Sequence, residues 1–134
     1  MSLANRWISW APQILSVVRI VTALVFITFG TTKVVAWPHG VPPDGGTVPV
    51  MSLGWIAGVL EIVGGALLAL GLFTRPVAFV LSGEMAVAYW HGHAPQSFWP
   101  SVNMGTPAIL YCFLFLYLSS AGPGPWSLDA LRRR

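Results

Sequence analysis

Four apolar segments, separated by short polar or breaker-rich stretches, constrain this chain more than any other feature. They cover 14–37, 53–72, 76–90 and 107–121. A helix needs about 20 apolar residues to cross a bilayer core. The first two segments reach that length. The last two, at about 15 residues each, need their polar flanks or a locally thinned bilayer to span, and one of them could instead be re-entrant. The expected fold class is all-α, a four-helix transmembrane bundle.

Composition points the same way. Of 134 residues, 8% are charged and 55% hydrophobic, whereas soluble domains are about 25% charged. The length suits one compact domain over 1–134, with residues 122–134 as a short amphipathic tail on the membrane surface. The formal net charge is +3, but three of the seven basic residues are Arg132, Arg133 and Arg134. That distribution is a topology signal and not a nucleic-acid patch, so the bilayer, not nucleic acid, is the expected partner. The single cysteine, Cys112, rules out an intrachain disulfide, a CxxC pair and covalent c-type haem. It reads as a small packing residue.

Charge also sets direction. Arg6, Arg75 and the terminal arginines flank the N-terminus, the FTRP turn and the C-terminus, while the loops 39–51 and 91–106 carry no Lys or Arg. The positive-inside rule then predicts that both termini and the FTRP turn are cytoplasmic, an alternation that closes only with four spans. Trp7, Trp10 and Trp126 fall at the expected inner surface; Trp37, Trp55, Trp90 and Trp99 fall at the outer one. The first segment does not read as a signal peptide, because Arg19 interrupts it and no A-x-A-like cleavage site follows.

The ionisable residues inside the spans are the candidate site. On a helical wheel, Gly54, Gly58, Glu61, Gly65, Leu68 and Leu72 lie within about 40° of one line. Small residues at that spacing let helices approach closely, so Glu61 should face protein. Ser16, Arg19, Ala23, Phe26, Gly30 and Lys33 form a second stripe, and Glu84, Ala88 and His91 a third. Glu61 and Glu84 are both expected near the midplane, with His91 roughly 10 Å above Glu84. Arg19 and Lys33 balance the two acids. Charges at span centres cost about 2.5–3.5 kcal/mol each on insertion scales and usually mark function. Arg19, Lys33, Glu61, Glu84 and His91 are therefore the expected lining of a buried polar ligand site. The alternative is an ion network that only fixes packing. His39, His91 and His93 form a weaker alternative set, for a metal, without a recognised ligand spacing.

The same residues carry a family resemblance. Arg19, FGTTK (29–33) and GVLEIVGGALLALGLFTRPVAF (58–79) resemble the R…G-x-x-K, G-x-x-E-x-x-G-G and G-L-x-T-R pattern of the DoxX family. HGHAPQSFWPSVNMG, LYCFLFLYL and GPGPWSLD resemble one bacterial branch, although Thr106 and Pro107 stand where that branch carries an acid. The resemblance implies a four-helix protein of the bacterial inner membrane. The family takes its name from a subunit associated with a quinone-reducing thiosulfate oxidoreductase, so it implies a redox-associated subunit with a partner protein. A quinone is the ligand it suggests. A second copy of the chain is a further expected partner, as a homo-oligomer; a non-enzymatic membrane scaffold or assembly factor and a small transporter or proton pathway are the alternative functions.

Overall fold

The computed structural model describes all 134 residues. Its regular elements are helices, α1 (Leu3–Ser9), α2 (Ala11–Val35), α3 (Leu53–Leu70), α4 (Thr74–Ala88), α5 (Pro100–Asn103), α6 (Thr106–Ala121) and α7 (Leu128–Arg132), with a π-helical turn at Tyr89–His93 after α4. An isolated antiparallel bridge joins Val41 to Gly46. The helices α2 and α3 are long and apolar enough to cross a membrane; α6 is a shorter apolar helix of 16 residues.

Local chemistry explains where the helices begin and end. The Ser52 hydroxyl accepts from the Trp55 N–H at 3.2 Å and starts α3. Gly71, at φ 68°, ends it, in a backbone region glycine enters without a Cβ penalty. The α2 helix begins at Ala11, earlier than residue 14, because Pro12 fits a first turn whose N–H groups have no intrahelical partner. It stops at Val35, before residue 37, because Ala36 turns left-handed at φ 53°. Regular α-helix in the third segment ends at Ala88 and not at Trp90, where the backbone widens into the π turn. Within 122–134 only Leu128–Arg132 is helical, capped by the Ser127 hydroxyl, which accepts from the Ala130 N–H at 3.1 Å.

The chain divides into two units, one of Met1–Thr74 with Pro123–Arg134, the other of Arg75–Gly122. In the first, α2 and α3 run antiparallel: Gly30 lies beside Gly58, Ile27 beside Gly65 and Arg19 beside Leu68. The buried stripe of α2 is Ser16, Arg19, Ala23, Phe26 and Gly30; that of α3 is Gly58, Glu61, Gly64, Gly65 and Leu68. Their other faces expose large apolar groups such as Val21, Leu24, Leu60 and Val63, and α-helices are the way a chain satisfies its own backbone in lipid.

The second unit buries Ala78, Leu81 and Met85 of α4 and Ala108, Phe115 and Leu118 of α6. The Ser82 hydroxyl donates to the Cys112 carbonyl at 2.7 Å. The Arg75 guanidinium donates to the carbonyls of Ser119, at 3.2 Å, and Ser120. It thereby occupies carbonyls at the end of α6 that have no intrahelical donor.

Candidate functional site

The polar feature of the first unit begins with two glycines. A Cβ on Gly30 would lie 2.5 Å from the Gly58 carbonyl oxygen, and one on Gly58 would lie 2.8 Å from Val34 Cγ2. Only hydrogens at these positions allow α2 and α3 to approach this closely. Glu61, one turn past Gly58, then meets Lys33, one turn past Gly30. Lys33 Nζ donates to Glu61 Oε1 at 2.6 Å. Lys33 retains 29% side-chain exposure while Glu61 retains 2%. Lys33 lies in the last turn of α2, so its stem can lie along the helix while its ammonium stays near the polar boundary.

The pair is asymmetric in its bonding. Glu61 Oε1 is taken by Lys33, whereas Glu61 Oε2 is buried and accepts no hydrogen bond. Most buried carboxylate oxygens have partners, and an orphan calls for an explanation. An ammonium beside a vacant acceptor can receive a small neutral group that accepts from one and donates to the other. The Lys33 carbonyl also accepts from the Val48 N–H at 2.9 Å, which ties the loop after α2 to the same place.

Arg19 belongs to a different part of α2. It lies fourteen residues before Lys33 on one helix, about 21 Å away at 1.5 Å per residue. Its fully buried side chain donates from Nε to the Leu68 carbonyl at 2.8 Å, from Nη2 to the Trp126 carbonyl at 2.7 Å, and from Nη1 to the Pro123 carbonyl. The planar fork of five N–H donors suits three carbonyls converging from two segments. The structure thus places Arg19 at the end of α3 and under the C-terminal segment, apart from the Lys33–Glu61 pair.

Asp129 is a capping residue that the sequence did not reveal. Its carboxylate accepts from the N–H groups of Phe73 and Thr74, each at 2.9 Å, at the start of α4. Its own N–H donates to the Gly71 carbonyl at 2.9 Å. Partial burial opposes its ionisation, but the Thr74 and Phe73 hydrogen bonds and the nearby Arg132 outweigh that and hold the carboxyl below the usual range. This cap comes from more than fifty residues away, so no local pattern announces it.

The remaining candidates lie elsewhere. Glu84 is half-buried on α4 in the second unit. His91 is exposed. It follows Glu84 by seven residues, but the π turn widens the helix there, so that offset no longer returns to one face. His93 shares a hydrogen bond through Nδ1 with the Asn103 carbonyl at 2.9 Å, and His39 Nδ1 is 3.0 Å from the Gly40 carbonyl. No group of three or more His, Cys, Asp or Glu side chains gathers as a metal site.

Comparison with known proteins adds four findings. The DoxX family model matches residues 14–94. An uncharacterized protein of Haemophilus influenzae is 44% identical over 128 residues, covering 93% of this chain and 95% of its own. The inner membrane protein YphA of Escherichia coli is 32% identical over 133 residues, covering 88% and 89% respectively. No solved structure matches. The matched region 14–94 contains Arg19, Lys33, Glu61, Glu84 and His91, and ends before Asp129.

Proposed function

The chain belongs to the DoxX family and is an integral membrane protein; on that premise, we propose that it is a multi-pass accessory subunit of a quinone-linked redox complex. In this reading four spans place both termini in the cytoplasm, as the distribution of Arg6, Arg75 and Arg132–Arg134 favours. The bacterial inner membrane is the proposed location, supported by the name of the Escherichia coli relative. Lys33 and Glu61 receive the quinone headgroup.

The observation that carries this reading is the buried, vacant Oε2 of Glu61 beside an ion-paired ammonium. A quinone carbonyl accepts from Lys33, and a quinol hydroxyl donates to Glu61 Oε2. Two electrons and two protons separate the two forms. Glu61 offers a proton-accepting group, and a partner protein supplies or removes the electrons, since one cysteine provides no dithiol pair.

The test uses the purified protein in nanodiscs loaded with ubiquinone or menaquinone, with bound quinone measured by mass spectrometry. Glu61→Gln and Lys33→Met should each retain at least tenfold less quinone than wild type while remaining folded. Equal retention by wild type and both variants defeats the proposal. A second reading, a scaffold, draws on the Gly30–Gly58 approach, which places the pair against a backbone contact. Under it, Glu61→Gln lowers thermal stability and partner assembly, and wild type shows no quinone preference.

A further inference from the structure

One end of the first unit collects exposed apolar and basic groups without protein cover. The helix α1 has no buried residue; Leu3, Trp7, Ile8 and Trp10 are exposed, as is Arg6. The C-terminal segment exposes Trp126, Leu131 and Arg132–Arg134. Both lie at the start of α2. The Trp126 N–H donates to the Ser16 hydroxyl at 3.1 Å, and a Cβ on Gly124 would sit 3.0 Å from the Pro12 carbonyl. Pro12 is only two residues beyond Trp10.

We propose that this end binds anionic lipid headgroups, and that their binding holds the C-terminal segment against Arg19. The apolar groups are those of an interfacial anchor: indole rings and leucines that sit at headgroup depth, with arginines reaching phosphates. Four arginines, Arg6 and Arg132–Arg134, face outward against the single acid Asp129, which leaves the region net positive. Asp129 is occupied by the N–H groups of Phe73 and Thr74. The Arg132 guanidinium lies over the Phe73 ring, 4.9 Å from its centroid. A net positive, apolar-edged surface prefers a bilayer of net negative charge over a zwitterionic one.

The coupling to the fold follows from the chain path. The carbonyls of Pro123 and Trp126 that bind Arg19 precede the three terminal arginines by only a few residues. Lipid that holds Arg132–Arg134 at the surface binds the latched segment and not a detached one. By mass action it stabilises the latched state. The inference needs only that α2 and α3 are in a bilayer. It does not depend on quinone binding or on which side of the membrane this end faces.

The test compares wild type, Arg132→Gln/Arg133→Gln/Arg134→Gln, and the corresponding triple Lys variant. Each is placed in nanodiscs of phosphatidylcholine alone or of phosphatidylcholine with phosphatidylglycerol. Wild type should melt roughly 5 °C higher in the anionic discs. The Gln variant should lose most of that gain, and the Lys variant should keep it. Hydrogen exchange of 123–132 should slow in anionic discs for wild type and Lys, and not for Gln. An equal gain in wild type and Gln, no gain in wild type, or loss of the gain in the Lys variant overturns the proposal. Because each variant is compared with itself in two lipids, a lower baseline stability of the Gln variant does not blur the result.

Discussion

Arg19 Nε donates to the Leu68 carbonyl at 2.8 Å, so a charge in the early part of α2 closes the far end of α3. The same guanidinium gathers the Pro123 and Trp126 carbonyls. The three acceptors come from two segments distant in sequence; the Leu68 carbonyl also accepts from the Gly71 N–H at 3.1 Å, whereas the Pro123 and Trp126 carbonyls are held by Arg19.

Replacing Arg19 with Ala should therefore be among the most destabilising single changes in the first unit. It removes three charge-assisted hydrogen bonds and strands the Pro123 and Trp126 carbonyls, a cost of about 3–5 kcal/mol. Arg19→Lys should recover only part of that, because an ammonium cannot span three diverging carbonyls. Thermal melts in detergent check the order: wild type, then Lys, then Ala.

The Lys33–Glu61 pair should show strong coupling. Lys33→Met alone leaves a buried carboxylate without its counter-charge, at about 3–5 kcal/mol. Adding Glu61→Gln removes that charge, so the double variant should be more stable than Lys33→Met alone. A double-mutant cycle of melting free energies measures the difference. Additive effects would mean the pair is not formed in the membrane.

Glycine substitutions should divide sharply by position. Gly30→Ala puts a methyl 2.5 Å from a backbone oxygen and should cost about 1–3 kcal/mol, because backbone must move. The nearest atom to a Cβ at Gly54 is 3.6 Å away. Gly54→Ala should thus be neutral or stabilising by up to about 1 kcal/mol through helix propensity. Two melting curves decide between them. Gly30→Ala should also weaken the Lys33–Glu61 contact, visible as a smaller coupling in the same cycle.

Asp129 predicts a pH dependence whose sign is fixed by its lowered pKa. Its folded value lies below the unfolded value of about 3.9. Its stabilisation is then fully present above about pH 4–5 and is lost as pH falls through the folded value. Burial is slight, so the contribution is small, about 0.5–1 kcal/mol after allowance for solvent screening. The gap in melting temperature between wild type and Asp129→Asn should be constant near neutral pH and shrink below about pH 4. A gap that widens on acidification would contradict the cap.

How much of this was legible in sequence varies with the range of the interaction. The stripe Ser16, Arg19, Ala23, Phe26 and Gly30 follows from 3.6-residue periodicity, and the structure buries those residues. On α3, Gly58, Glu61, Gly65 and Leu68 are buried in the same way, joined by Gly64. Gly54 remains only partly covered, because it meets the Val48 side chain and not the neighbouring helix. At His91, which is exposed, the constant helical pitch that a wheel assumes gives way to the π turn at Tyr89–His93.

The sequence by itself therefore determined the apolar segments, the glycines that permit close approach, and the faces that carry Arg19, Lys33 and Glu61. These properties are local: each depends on residue type and on spacing along one helix. Only the tertiary structure decided which charge meets which partner. Formal balance treated Arg19 and Lys33 as equivalent counter-charges for buried acids. Antiparallel packing of α2 on α3 set Lys33 against Glu61 and sent Arg19 to three backbone carbonyls, two of them more than a hundred residues away. A carbonyl left without a donor at a helix end or in a turn has no sequence signature, and neither does a cap such as Asp129. Partners of that kind exist only after the chain has folded and brought distant segments within 3 Å.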